Sequence, residues 1–101
     1  MEFNSEFFYY PNLQDYLEQI LENIIDFLNM DEGKVGYIII GETGNDIKSI
    51  NWDIEKKNFE ILLKSGMISP LPISVHVKTF SKFLEIKVVS GIKKPYIVSV
   101  I

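Results

Sequence analysis

Residues 73–89 read ISVHVKTFSKFLEIKVV, and this stretch decides the fold. Ile73, Val75 and Val77 alternate with Ser74, His76 and Lys78, and Leu84, Ile86 and Val88 alternate with Glu85 and Lys87. A period of two belongs to strands with one buried face. If the chain reverses around Ser81-Lys82, Val75 falls opposite Val88 and Val77 opposite Ile86, so both apolar sets share one face. The other face then sets His76 against Lys87 and Lys78 against Glu85. A slip of one residue would turn one apolar set to solvent, so register and burial agree and predict an antiparallel hairpin. Ser-Lys is poor chemistry for a two-residue turn, which favours a four-residue loop in the same register.

Outward from the hairpin, residues 90–95 read as a loop and 96–101 as a final strand that either closes the sheet or offers an open edge. Upstream, Pro70 and Pro72 interrupt the chain. Asp53 is placed to cap a helix running to about residue 65, with Phe59, Leu62 and Leu63 inward and Gly66 as its stop. Residues 47–52 offer a further strand, and 41–46 a turn. The near-continuous apolar run 35–40 predicts a central strand buried on both faces. Before it, Leu13, Tyr16, Leu17, Ile20, Leu21, Ile24, Phe27 and Leu28 recur at helical spacing, with Asn12 as N-cap and Gly33 closing the turn after. Asp15, Glu18, Glu22 and Asp26 fall on the opposite face, a solvated stripe. The aromatic start, Phe3, Phe7, Phe8, Tyr9 and Tyr10, predicts an extended segment that pins the chain to its body. The expected class is α+β, one domain over residues 1–101, with a mostly antiparallel sheet and two helices.

Composition narrows the chemistry. The 101 residues are 47% hydrophobic and 13% aromatic, enough for a packed core. There is no cysteine, which removes disulfides, thiolate zinc sites and cysteine nucleophiles. Arginine is absent too, and with it the bidentate fork that reads phosphates and guanine edges. No run is long enough for a membrane helix, and the acidic, aromatic N-terminus is unlike a targeting peptide, so a cytoplasmic protein is expected.

The net charge of −4 hides an asymmetry. Residues 1–55 hold twelve acidic side chains against Lys34 and Lys48, a net of −10, whereas residues 56–101 hold eight lysines against Glu60 and Glu85, a net of +6. Lys82, Lys87, Lys93 and Lys94 are candidates to converge at one edge and meet phosphates. Lys78 is a weaker candidate, because Glu85 opposes it across the hairpin. Catalytic signatures are sparse. His76 has no partner at metal or triad spacing, and the stretch from Gly41 to Gly44 lacks the spacing of a phosphate loop. Trp52 is explained by packing. The carboxylates Glu2, Glu6, Glu42 and Asp46 would form a Mg²⁺ or Mn²⁺ site only if the chain start met the turn after residue 41.

Several short motifs, in order along most of the chain, resemble the Schlafen-type AlbA-like domain, a family described as DNA-binding. Glu6-Phe7 is similar to its opening Glu-Phe-Lys, with Phe8 in place of the lysine. Phe27-Leu28-Asn29-Met30-Asp31-Glu32-Gly33 resembles its Phe-x-Asn-Thr-Asp-Gly-Gly helix end, with Glu32 where a glycine is usual. Tyr37-Ile38-Ile39-Ile40-Gly41, Ile68-Ser69-Pro70 and Lys94-Pro95-Tyr96 resemble later segments. The chain stops at Ile101, before the family's Arg- and Gly-containing hairpin, which implies a trimmed or minimal version of the domain.

The resemblance implies a non-catalytic nucleic-acid-binding module of a transcriptional regulator, without cofactor, holding DNA or RNA by phosphates through Lys82, Lys87, Lys93 and Lys94. It also implies a second-ranked alternative, a metal-dependent endoribonuclease using Glu2, Glu6, Glu42 and Asp46. A third expectation, from the apolar segment 96–101, is a protein-interaction domain that forms a homodimer.

Overall fold

The computed structural model describes residues 5–31, 33–41, 51–80, 82–92 and 94–98, with the backbone alone for residues 5 and 6. In chain order the elements are β1 (Ser5–Tyr10), α1 (Leu17–Leu28), β2 (Val35–Gly41), α2 (Trp52–Lys64), β3 (Ile68–Ser69), β4 (Val75–Thr79), β5 (Phe83–Val89) and β6 (Ile97–Val98). Four strands form one sheet in the order β1-β2-β5-β4, and β3 pairs with β6 in a second, two-stranded sheet. β1 runs parallel to β2, and the other described pairs are antiparallel. The chain is therefore α+β, with two helices and a mostly antiparallel sheet.

The hairpin forms in the expected register. Val75 pairs with Val88, His76 with Lys87, Val77 with Ile86 and Lys78 with Glu85. Phe80 N donates to Phe83 O at 2.8 Å across the loop. Leu84, Ile86 and Val88 are fully buried, and Val75 and Val77 pack beside them against the core. Ile73 departs from the pattern and is exposed. Ser74 answers Val89, the last residue of β5, through Val89 N to Ser74 O at 3.0 Å and Ser74 Oγ to Val89 O at 2.8 Å. Beyond that pair β5 offers no strand for Ile73 to lie on.

α1 buries Ile20, Leu21, Ile24, Phe27 and Leu28, while Leu13, Tyr16 and Leu17 pack on the edge of the core. Asp15, Glu18, Glu22 and Asp26 are exposed, as a solvated stripe should be. The helix starts later than its apolar spacing indicates, and Asn12 is not its cap. Tyr16 occupies that position without a side-chain bond. Asn12 instead closes the preceding turn, accepting from Asp15 N at 2.8 Å and donating to Asp15 Oδ2 at 3.2 Å. Local side-chain bonding of this kind competes with helix, so the turn displaces the helix start. Gly33 takes φ +88° in the turn that follows α1.

α2 is capped by Asn51, not Asp53. The Asn51 side chain accepts from Asp53 N at 3.1 Å and Ile54 N at 3.3 Å. Both residue types cap well, and the asparagine is simply the one placed outside the first turn. Asp53 Oδ1 accepts from Thr79 Oγ1 at 3.1 Å and so joins α2 to the end of β4. Trp52 begins this helix and is buried. Neither it nor the capping Asn51 therefore belongs to the strand expected over 47–52, whose other residues, 47–50, lie outside the described ones. Gly66, at φ +90°, follows the helix as expected.

The apolar run in β2 is central in the sheet but is not buried on both faces. Ile38 and Ile40 are fully buried, whereas Val35, Tyr37 and Ile39 are half-buried. Residues of both helices share one core cluster with Ile38, Ile40, Leu84, Ile86 and Val88, so the helical layer covers one side of the sheet. The other side carries no helix among the described residues. β1 ties the chain start to this body, as the aromatic segment implied: Phe8 packs on Phe27 with ring centroids 5.6 Å apart, and Asn23 Nδ2 donates to the Tyr10 hydroxyl. The final strand does not close the main sheet, because its described part, β6, pairs with β3. No helix among the described residues is long and apolar enough to cross a membrane.

Candidate nucleic-acid interface

Strand alternation sends Ile38, Ile40, Leu84, Ile86 and Val88 toward the helices, so the intervening residues form the opposite face. The register arranges them in rows across the strands. Phe7 lies beside Tyr37, Tyr37 beside Lys87 and Lys87 beside His76. In the next row Tyr9 lies beside Ile39, Ile39 beside Glu85 and Glu85 beside Lys78. Gly41 then pairs with Phe83, which adjoins Phe80 across the hairpin loop.

Aromatic and cationic side chains share this face. Phe7 stacks on Tyr37 at 4.9 Å with 10° between the rings, and Phe80 stacks on Phe83 at 4.4 Å with 15°. Phe7 and Tyr9 are 53% and 73% exposed, a cost in water that a covering ligand would remove. Lys78 Nζ sits 5.4 Å from the Phe80 ring centroid, in the range of a cation–π contact. Glu85, directly across from it in the register, makes no ion pair with it within 4.0 Å; among the described residues the one such pair is Lys34–Asp31, at 3.9 Å. Lys78 is exposed and joins the lysines favoured in the sequence on this face, with Glu85 opposite it. At the end of β1, beside Phe83, lies a groove of about 360 Å³ lined by Tyr9, Tyr10, Pro11, Ile39, Gly41, Lys82 and Phe83. Gly41 is needed there, because a Cβ would come within 2.9 Å of Phe83 Cβ and 3.0 Å of Lys82 O.

The expected lysines do not converge at one edge. Lys82 is exposed in the hairpin loop and lines the groove, and Lys87 is half-buried in the middle of the face. Lys94 is elsewhere: its Nζ donates to the Met30 carbonyl just past the C-terminus of α1, where positive charge suits the helix dipole. Lys82 precedes β5 and Lys94 follows it, so seven residues of strand, about 23 Å, separate the two ends. Lys93 lies outside the described residues. What the sequence reading missed is the aromatic half of the surface. Its signal was the spacing of Phe7 with Tyr9 and of Tyr37 with Ile39, large side chains where a solvated face would carry polar ones.

Of the carboxylates, Glu2, Glu42 and Asp46 lie outside the described residues. Glu6 pairs with Gly36, while Gly41 stands five residues farther along β2, about 17 Å away. Among the described residues no group of three or more His, Cys, Asp or Glu could hold a metal ion. Comparison of the chain with protein-family models, with curated proteins and with solved structures found no match in any of the three.

Proposed function

We propose that this chain is a nucleic-acid-binding module that meets phosphates through the face of its sheet opposite the helices. The observation that carries this reading is the placing of Lys78, Lys82 and Lys87 among exposed aromatic rings on that face, with Glu85 as the one acid in the same rows. The acidic stripe of α1 lies on the other side of the molecule, so a net charge of −4 does not oppose an anionic ligand here. Lysine without arginine supplies charge rather than base readout, so binding is salt-sensitive and weakly selective for sequence.

Fluorescence anisotropy with labelled DNA and RNA across a salt series tests this. The Lys82→Glu/Lys87→Glu double variant should lose binding while circular dichroism stays unchanged. Lys94→Glu should keep its affinity and lose some stability, since its ammonium holds the end of α1. Equal affinity of the double variant and the parent protein would overturn the proposal.

A further inference from the structure

We infer that the nucleic acid this face takes is single-stranded, with bases stacked on its two aromatic pairs. The inference rests on the nucleic-acid reading above and goes beyond it, because phosphate contacts alone would suit a duplex as well.

Geometry argues against a duplex. The face is four strands wide, three spacings or about 14 Å before side chains are added. The major groove of B-DNA, about 12 Å across, admits a helix or a two-stranded ribbon, and that of A-form RNA is narrower still. A flat sheet of this width stays outside both, and bases inside a duplex cannot reach its rings. Unpaired bases can.

The surface repeats one unit. Three of the rings have a lysine at their side: Tyr37 pairs across the strands with Lys87, Phe83 follows Lys82 in the chain, and Phe80 lies under Lys78, while the more exposed Phe7 and Tyr9 lie beside Tyr37 and Ile39. A ring offers its face to a base, and the adjacent ammonium reaches the phosphate joining that base to the next. Phe83 stands four residues along and one strand across from Tyr37, about 14 Å away, so a strand bridging the two pairs passes the row of Tyr9 and Ile39, which line the groove together with Phe83. That groove, about 360 Å³, has the volume of a small-ligand site, with Tyr9 as a wall and Lys82 in its lining. One base therefore sits on each pair and another in the groove. Stacking of this kind tolerates any base, consistent with a chain that has no arginine to read base edges.

The test measures anisotropy with labelled ten-nucleotide single strands of DNA and of RNA, the same strands carrying abasic sites, and the matching duplexes. Both single strands should bind at least about tenfold more tightly than the duplexes, and the abasic strands should lose that advantage. Tyr9→Ser, at the most exposed of these rings, should weaken single-strand binding several-fold without changing the melting temperature. Phe83→Leu should do so more strongly. The DNA and RNA arms report which sugar is preferred. Equal binding of single strand, abasic strand and duplex would overturn the inference and leave phosphate binding standing. No binding to any of them, with a hydrophobic peptide captured instead, would overturn both.

Discussion

The side-chain amide of Asn29 holds the backbone of Tyr96 by two hydrogen bonds at once. Its Nδ2 donates to Tyr96 O at 2.9 Å, and Tyr96 N donates to its Oδ1 at 2.7 Å. The amide thus takes the place of a neighbouring strand. Two further contacts join the same regions: Gly91 N donates to Leu28 O at 2.8 Å, and Lys94 Nζ donates to Met30 O. The final carbonyl of α1, Leu28 O, which no helical N–H reaches, is thus met by the loop after β5, as is Met30 O just beyond the helix. Two of the short motifs in the sequence, around Asn29 and around Lys94-Pro95-Tyr96, therefore lie against each other and have a structural reason to occur together.

Asn29→Ala removes both bonds to Tyr96. The expected cost is about 1–3 kcal/mol in urea unfolding. Asn29→Asp should also destabilise, because a carboxylate oxygen would replace the donor facing Tyr96 O.

Gly36 and Gly91 are predicted to reject alanine. A Cβ at Gly36 would stand 2.3 Å from the ring of Phe27, itself fully buried, and one at Gly91 would stand 2.2 Å from the ring of Tyr96. Each substitution should cost about 1–3 kcal/mol by overpacking. Gly33 has open space around it but sits at φ +88°, so Gly33→Ala should be destabilising through backbone strain alone. Thermal melts of the three variants check these costs.

Asn51→Ala should destabilise by about 1 kcal/mol through loss of the cap of α2. If Asp53 were the cap, as its position in the sequence suggested, Asp53→Ala would carry that cost, and Asn51→Ala would be nearly neutral. Chemical denaturation of the two variants separates the assignments.

Salt dependence offers a count of the phosphate contacts. Each contact to a single strand contributes about −0.7 to the slope of log K against log salt, so three lysines predict a slope of about −2. Lys78→Gln, Lys82→Gln and Lys87→Gln should each flatten the slope by about 0.7, whereas Lys94→Gln should leave it unchanged.

Elements with a complete local pattern were legible. The hairpin register followed from matching two alternations across one loop, and the buried face of α1 followed from its spacing. Ends and partners were less legible. Asn12 and Asp53 both look like caps, yet the first closes a turn and the second bonds Thr79, because capping depends on where the backbone leaves the helix and composition does not show that. β2 looked buried on both faces because apolar residues serve equally under a helix and on an aromatic surface. The lysines were found, but Lys94 was grouped with Lys82 because they are near in sequence, while an intervening strand carries them to opposite ends of the sheet.

The pairing of Ile38 with Ile86 has a consequence for how the chain matures. The middle of the sheet joins two strands separated in sequence by α2 and β4, so it cannot assemble until most of the polypeptide has been made. Until β5 arrives, β2 has β1 on one side and an unsatisfied apolar edge on the other. Folding is accordingly expected to be slow for a protein of this size, limited by a long loop closure. The nascent chain passes through an interval in which an apolar strand edge is bare, and there a chaperone has most to contribute.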